Sequence, residues 1–212
     1  MAAFKRTEII QHPRFGVQSN KDNSWGPFGS PFIVQEYGAI NHIDVSSQSP
    51  HLVAITSYSK VSLYDPVLKT VSKTLTKFHD AAFGAKFRDD GQLICAGTSE
   101  GAVKIFDLAT KTQLRELTGH TTATHKCDFM ADNKTVVSFS DDQTVRLWDL
   151  PSEALLETMT GHADYVRCGA VGNTGSNLVV SGSYDQTVRL WDRRTDYEAV
   201  LTLDHSSPVG HN

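Results

Sequence analysis

One eight-residue sequence occurs twice in the chain, and this duplication constrains the fold more than any other feature. The segment Asp-Gln-Thr-Val-Arg-Leu-Trp-Asp occupies residues 142–149 and again residues 185–192. A Gly-His pair precedes each copy, at residues 119–120 and 161–162. A unit of about 40–45 residues that runs from Gly-His to Trp-Asp is typical of one four-stranded blade of a WD-repeat β-propeller.

The same spacing reveals two weaker copies earlier in the chain. Tyr64-Asp65 and Phe106-Asp107 stand where Trp-Asp stands later, so Asp recurs at positions 65, 107, 149 and 192, at intervals of 42, 42 and 43 residues. Histidines at positions 79, 120, 162 and 205 follow intervals of 41, 42 and 43 residues. Two independent markers with one period predict four units, at about 38–77, 78–118, 119–160 and 161–204.

Each unit is predicted to contain four short strands, because Val, Leu, Tyr and Thr concentrate in runs that turn residues separate. In the last unit these runs cover residues 165–170, 178–183, 187–192 and 199–203. The predicted fold class is all-β, an incomplete WD-repeat propeller of about four blades with a closing strand. Residues 1–31 are expected to be an irregular extension, 32–37 a strand that closes the ring, and 38–212 the propeller, in which His205 opens a fifth unit. We therefore expect a longer parent protein.

Composition restricts the possible partners and compartments. The net charge is −4 and the pI about 6.1, which argues against general binding to phosphate backbones. No apolar run approaches the ~20 residues that span a bilayer, and the N-terminus lacks the apolar core of a signal peptide. The three cysteines are an odd number, and Cys127 and Cys168 are expected to be buried, reduced thiols. These features indicate the cytosol, nucleus or nucleolus and exclude a membrane protein.

Two sets of polar residues have the composition of a Ser-His-Asp catalytic site. The intervals between their members are 18, 4 and 6 residues in the first set and 19, 4 and 6 in the second. A catalytic site is not built once per repeat, so we interpret both sets as structural tetrads that satisfy buried polar groups. The tetrads are His120, Ser138, Asp142 and Trp148, and His162, Ser181, Asp185 and Trp191.

The first two units have lost most of the tetrad, because Ala54 and Ala96 replace its Ser. A zinc site built on His120, His125 and Cys127 is not expected, since no Cys-x-x-Cys pair supports these residues. No Gly-rich loop ends in Lys-Ser or Lys-Thr, so no phosphate cradle is present. The sequence thus predicts no catalytic residue, no cofactor, no metal and no small-molecule substrate.

Loop residues beside the tetrads are the candidate contacts for a macromolecular partner, because exposed loops on a rigid scaffold commonly bind. They are Asp80, Thr122, Asp141, Asp164 and Tyr184. A second possibility comes from Trp191-Asp192-Arg193-Arg194, which matches the short Trp-Asp-x-Arg motif of propellers that dock on cullin ubiquitin ligases. This alternative would make the chain a substrate receptor, with Arg194 as its marker.

Segments other than the repeat markers indicate which family of WD-repeat proteins the chain resembles. They are TKFHDAAF at 76–83, FRDDGQLICAG at 87–97, ADYVRCG at 163–169 and GSYD at 182–185, with Trp25 ahead of the closing strand. From about Trp25 to Val209 the chain resembles the U3 small nucleolar RNA-associated protein 15 family, WD-repeat subunits of the small-subunit processome.

That resemblance implies a nucleolar, non-enzymatic scaffold that assembles on nascent pre-ribosomal RNA for 18S RNA processing and is linked to transcription by RNA polymerase I. Its implied direct partners are other processome subunits. Pre-ribosomal RNA and the U3 small nucleolar ribonucleoprotein would be contacted mainly through those proteins.

Overall fold

Every regular element that the structure describes is a β-strand. The structure is a computed structural model that describes residues 8–11, 32–172, 177–195 and 199–204. Over these ranges the strands form one two-stranded sheet and four four-stranded sheets. No helix that could span a bilayer is found in the described part of the chain.

The strands follow one another along the chain, and each four-stranded sheet is a meander of consecutive antiparallel strands. The two-stranded sheet pairs β1 (Glu8–Gln11) with β2 (Phe32–Gln35). Blade 1 contains β3 (Ile40–Val45), β4 (Val53–Ser57), β5 (Lys60–Asp65) and β6 (Thr70–Leu75). Blade 2 contains β7 (Ala82–Phe87), β8 (Leu93–Thr98), β9 (Val103–Asp107) and β10 (Gln113–Leu117). Blade 3 contains β11 (Thr124–Phe129), β12 (Thr135–Ser140), β13 (Val145–Asp149) and β14 (Leu155–Met159). Blade 4 contains β15 (Val166–Val171), β16 (Leu178–Ser183), β17 (Thr187–Asp192) and β18 (Ala199–Asp204).

The duplicated octapeptide forms a hairpin turn and the strand that follows it in both blades. Asp142 Oδ1 accepts the Thr144 backbone N–H at 3.1 Å, and Asp185 Oδ1 accepts that of Thr187 at 2.9 Å. Between them Gln143 and Gln186 adopt φ values of 68° and 66°. An Asp side chain that bonds the backbone two residues later stabilises such a turn. The identical sequence therefore produces the same turn in both blades.

The apolar core lies between the blades, in three layers. The first joins blades 1 and 2 around Leu63 and Phe106, the second joins blades 2 and 3 around Ile105 and Trp148, and the third joins blades 3 and 4 around Trp191. The first strands of successive blades, β3, β7, β11 and β15, pack side by side. This arrangement confirms the predicted all-β, incomplete WD-repeat propeller, because each blade buries its apolar face only against its neighbour.

The N-terminal region differs from the expected irregular extension over residues 8–11. These residues form β1, which pairs with β2 from Glu8–Gln35 to Gln11–Phe32. The unpaired backbone of a lone strand favours such an addition, and the sequence Glu-Ile-Ile-Gln suits a strand. Strand β2 covers Phe32–Gln35 and so ends two residues before the predicted end of the closing strand at Tyr37. The rest of residues 1–31, residues 173–176 and the predicted fifth unit from His205 lie outside the described residues.

The expectation that Cys168 is buried is wrong. Cys95 and Cys127 are buried, whereas Cys168 is exposed. Register explains the difference, because Ser138 of blade 3 pairs with Cys127, while the equivalent Ser181 pairs with Gly169. Gly169 is the inward position, and a Cβ there would meet the Phe139 ring at 2.2 Å. Adjacent strand residues point to opposite faces, so Cys168 faces outward.

Candidate functional site

The tetrad residues of blade 3 are joined by a continuous chain of hydrogen bonds. Trp148 Nε1 donates to Ser138 Oγ at 2.8 Å, and Ser138 Oγ lies 2.7 Å from His120 Nε2. His120 Nδ1 lies 2.7 Å from Asp142 Oδ2. Because the carboxylate can only accept, Nδ1 carries the proton and Nε2 accepts the Ser138 hydroxyl. Every polar atom along this path has a partner.

Blade 4 repeats the chain with nearly the same distances. Trp191 Nε1 donates to Ser181 Oγ at 2.8 Å, which lies 2.7 Å from His162 Nε2, and His162 Nδ1 lies 2.8 Å from Asp185 Oδ2. Burial lowers the pKa of His162 even though the Asp185 carboxylate opposes this effect. A neutral imidazole at neutral pH agrees with the donor and acceptor pattern of the chain.

The tetrad carboxyls are held in the ionised form. Burial alone would raise the pKa of Asp142, but hydrogen bonds from His120 and Thr144 outweigh it and place the pKa well below its usual range. Burial likewise opposes ionisation of Asp185, while the Ala163 backbone N–H and His162 lower the pKa of that carboxyl. The tetrads are therefore polar networks whose hydrogen bonds stabilise one ionised carboxylate each.

The tetrad hydroxyls have no open path to a substrate. Ser138 and Ser181 have no exposed surface, and the side chains of His120 and His162 are 0% and 1% exposed. Each hydroxyl also accepts an indole N–H, which occupies the oxygen that a nucleophile would use. In this arrangement the Ser, His and Asp groups order the blade.

Blades 1 and 2 fill the same space with apolar groups. In blade 1 the expected replacement of Ser by Ala54 is wrong, because Ala54 pairs with Leu63 and the register position of the tetrad Ser is held by Ile55, which pairs with Ser62. In blade 2, Ala96 replaces Ser and is buried, and Phe106 occupies the Trp position. Phe78 packs on Phe106 with ring centroids 5.3 Å apart, while His79 is exposed. Packing replaces the polar network in these blades.

The candidate contact residues lie on the end of the blades where the hairpins and the loops between blades meet. Asp80 and Thr122 are exposed, and Asp80 Oδ2 accepts the Ser99 hydroxyl at 3.0 Å. Asp164 Oδ1 accepts the Tyr165 backbone N–H at 2.7 Å. Tyr184 is 59% exposed. We name this end of the molecule the mouth face.

Asp141 and Tyr184 meet through Arg167, which reaches across the junction of blades 3 and 4. Arg167 Nε and Nη2 donate to the two oxygens of Asp141 at 3.0 and 2.9 Å. The guanidinium carbon lies 4.9 Å from the Tyr184 ring centroid and 5.4 Å from that of Tyr165. His125 Nε2 approaches Asp141 Oδ2 at 2.9 Å. We name these five residues the Tyr–Arg cluster.

The charges of this cluster balance one another. The hydrogen bonds with Asp141 raise the pKa of Arg167. Burial opposes ionisation of Asp141, but Arg167 and His125 lower the pKa of its carboxyl. A bidentate pair of this kind is rigid and specific. The exposed Tyr165 and Tyr184 rings are thus held by a fixed cation that is already neutralised.

The remaining motifs have simpler surroundings. Arg194, the marker of the cullin alternative, bonds its neighbour Asp192 with Nη2 to Oδ2 at 2.7 Å, and this contact lowers the pKa of Asp192 to about 2. The three residues that were considered for a zinc site have other partners. His120 and His125 bind separate carboxylates, and Cys127 Sγ contacts the Gly84 carbonyl at 3.6 Å. No group of three potential metal ligands occurs among the residues that the structure describes.

Comparison with known families assigns the fold to one group of nucleolar proteins. Residues 22–175 match a β-propeller family model described as Nucleolar protein 10-like, N-terminal domain. The chain belongs to this family. The match includes blades 1 to 3 and the start of blade 4, so it covers the layer between blades 1 and 2 and the layer between blades 2 and 3.

The chain is also similar to curated proteins that carry a different name. It is 37% and 40% identical over 99 residues to the U3 small nucleolar RNA-associated protein 15 homologs of Danio rerio and Homo sapiens. It is 37% identical over 73 residues to U3 small nucleolar RNA-associated protein 15 of Saccharomyces cerevisiae. The vertebrate matches cover 46% of this chain and 19% of each relative, so the chain spans about a fifth of the length of these proteins.

Arg167, Tyr165 and the contact of His125 with Asp141 were not predicted from the sequence. A signal was present in the sequence, since Phe83, His125 and Arg167 recur every 42 residues, each as the second residue of the first strand of its blade. In the structure the Phe83 and His125 rings lie 4.5 Å apart. Planar side chains therefore follow one another along the mouth face from blade 2 to blade 4.

Proposed function

We propose that this chain is a non-enzymatic scaffold in ribosome biogenesis that works in the nucleolus. It assembles with other processome subunits on nascent pre-ribosomal RNA, supports processing to 18S RNA, and is linked to transcription by RNA polymerase I. The observation that carries the proposal is the similarity to proteins named U3 small nucleolar RNA-associated protein 15 in fish, human and yeast. Membership in a nucleolar propeller family supports the same compartment.

The geometry supports a scaffold because the polar residues that resemble catalytic groups are buried and satisfied within the blades. Ser138 and Ser181 accept the indole N–H groups of Trp148 and Trp191 at 2.8 Å. Such networks order a structure and hold its loops in place. The loops of the mouth face, which are exposed, then present fixed side chains to a partner.

Charge favours proteins as the direct partners. The mouth face carries the carboxylates of Asp80, Glu100 and Asp164, for which the described residues provide no ion pair, and the Arg167 charge is neutralised by Asp141. An acidic surface repels the phosphate groups of nucleic acid. Non-specific affinity for nucleic acid depends on Lys and Arg. We therefore propose that pre-ribosomal RNA and the U3 ribonucleoprotein are reached mainly through processome proteins.

Affinity purification from cells that produce the protein tests this function. We expect recovery of processome proteins together with U3 RNA, and we expect nuclease treatment to remove the RNA while the protein partners remain. Recovery of a cullin and its adaptor, lost in Arg194→Ala, would instead support the receptor alternative. Loss of all protein partners after nuclease treatment would contradict the protein-mediated mode of association.

A further inference from the structure

A cavity between blades 2 and 3 lies away from the mouth face and is not used by the function proposed above. Its volume is about 280 Å³. Arg88, Asn133 and Leu150 belong to connections that leave the sheets at the end opposite the tetrad loops. The apolar walls come from Leu93, Ile105, Leu114 and Leu150.

At the cavity, blade 2 has an arginine at the position where blade 3 has a methionine. Arg88 and Met130 hold the same backbone position, since the N–H of Arg88 bonds the Leu93 carbonyl and that of Met130 bonds the Thr135 carbonyl, both at 2.9 Å. Met130 is 2% exposed and fills the layer between blades 3 and 4. Arg88 instead extends to Asp90, with Nη2 2.5 Å from Oδ2. Met130 is thus part of an apolar layer, whereas Arg88 lines the cavity.

A strand irregularity adds an exposed leucine to the same cavity. The pairing of β10 with β9 shifts between Gln113 and Arg115, which leaves Leu114 as the extra residue. Leu114 is 43% exposed and lines the cavity. A bulge re-aims the side chain of its extra residue. The wall is therefore apolar and open to the surface at Leu114.

The rim of the cavity is basic and contains an unsatisfied polar atom. Arg88, Arg115 and Lys134 line it, and the neighbouring acids Asp90 and Glu153 are bound to the two arginines. Arg115 and Glu153 are 45% and 42% exposed at 3.3 Å, so their pairing is weak. Asn133 Oδ1 is buried without a hydrogen-bond partner. Three cations against two carboxylates leave a rim that attracts negative charge.

We propose that this cavity binds one apolar side chain from an extended segment of a partner protein, with an acidic residue beside it. The apolar walls gain from burying an anchor side chain, and anchors in pockets dominate binding energy at protein interfaces. The adjacent carboxylate pairs with Lys134 or Arg115 at the rim. This site is separate from the Tyr–Arg cluster, so it stands or falls independently of the function proposed above.

Fluorescently labelled ten-residue peptides test the site on the full chain. Each peptide carries one central Phe, Leu, Ile or Met between acidic residues, and binding is followed by anisotropy at low salt. At least one peptide should bind, and Arg88→Met should weaken it by tenfold or more because the methionine fills the cavity as Met130 fills its own layer. Arg88→Ala removes the same charge but leaves the cavity open, so it should retain most of the binding.

Further variants and probes decide the outcome. Leu114→Glu, at a half-exposed position, should also abolish binding, and it serves if Arg88→Met fails to fold by circular dichroism. A peptide with Ala at its centre should bind far more weakly than its parent. The proposal is overturned if no peptide binds, if Arg88→Met and Leu114→Glu bind like the unmodified chain, or if single-stranded RNA binds here instead and is lost in Lys134→Glu.

Discussion

The indole N–H of Trp191 donates to a buried acceptor. In the described part of the chain, the residue at the same repeat position in blade 1 has no such hydrogen bond. Trp191 is 1% exposed and donates to Ser181 at 2.8 Å. Tyr64 is 9% exposed, and the residue of blade 1 that holds the register position of the tetrad Ser is Ile55, which has no side-chain acceptor. The same position in the repeat therefore anchors a hydrogen-bonded network in blade 4 and no such network among the described residues of blade 1.

Replacing Trp191 by Ala should destabilise the chain more than replacing Tyr64. Truncating a large buried aromatic residue typically costs ~3–5 kcal/mol, and Trp191→Ala also leaves the Ser181, His162 and Asp185 network without its donor. Denaturant unfolding of both variants in the complete-length protein measures the difference. Equal losses of unfolding free energy would contradict the role assigned to the tetrad.

Removing exposed groups of the mouth face should weaken partner binding without unfolding the blade. Tyr184 is 59% exposed and outside the tetrad, and large aromatic residues dominate interfaces. The double variant Asp164→Ala, Tyr184→Ala should recover several-fold less of the processome proteins in affinity purification. Leu68→Ala, 67% exposed at the opposite end of blade 1, is the matched control. Unchanged recovery by a folded double variant would exclude this contact.

Single residues were predictable from sequence where the repeat determines their neighbours. The constant intervals from His120 and His162 identified the tetrad partners because all members lie within one blade. Arg167 could not be identified this way, since its partner Asp141 lies 26 residues away in another blade. Cys168 was misplaced because a shift of one residue in β15 is invisible in composition.

At the scale of elements, the hairpins of blades 3 and 4 depend on ionised carboxylates. Asp142 and Asp185 each bind a His, a Thr hydroxyl and backbone N–H groups. A hairpin that closes on an anion stays stable only while the anion keeps its charge. Acid should therefore weaken these two blades through their hairpins.

The free energy of unfolding should decrease as the pH is lowered, over two ranges of pH. Asp142 and Asp185 have lowered pKa values, so their contribution is complete above the unfolded value of about 4 and is lost as the pH falls through the folded value. His162 also has a lowered pKa, so the unfolded chain takes up its proton first and stability declines below about pH 6.5.

Thermal unfolding between pH 7 and pH 2 measures both ranges. The double variant Asp142→Asn, Asp185→Asn should be less stable at pH 7 and should lose less stability on acidification below pH 4. Asp204→Asn, an exposed acid at the end of β18, controls for a general loss of charge. An unchanged acid dependence in the double variant would show that other groups control it.

The strands themselves were largely predictable, because their limits coincide with turn chemistry. Strands β16 and β17 begin and end where the sequence predicted. Strand β1 was not predicted, since a four-residue segment gains its structure only from pairing with β2, more than twenty residues later in the chain. The bulge at Leu114 has the same origin, because register depends on the neighbouring strand.

At the scale of the whole molecule, the outer faces of blades 1 and 4 carry exposed apolar side chains. Ile43 and Val45 of β3 are 57% and 56% exposed, and Val188 and Leu203 of blade 4 are 41% and 55% exposed. Surfaces of this kind are covered where two blades meet, as Trp191 and Met130 show between blades 3 and 4. Apolar patches left in water favour association.

Residues 1–212 expressed alone should therefore self-associate or fold loosely. Size-exclusion chromatography with light scattering measures the association, and a thermal melt reports the folding. Ile43→Thr with Leu203→Thr should shift the distribution toward monomer, while Leu114→Thr, away from both faces, should not. A monomer with one sharp transition at high temperature would show that the outer faces are stable in water.

The most direct test of the proposed function is depletion of the protein in its own cells, followed by measurement of mature ribosomal RNAs. A scaffold of the small-subunit processome predicts a fall in 18S RNA with 28S RNA less affected, and rescue by the unmodified protein. Equal loss of both RNAs, or no change in either, would contradict the assignment to small-subunit assembly.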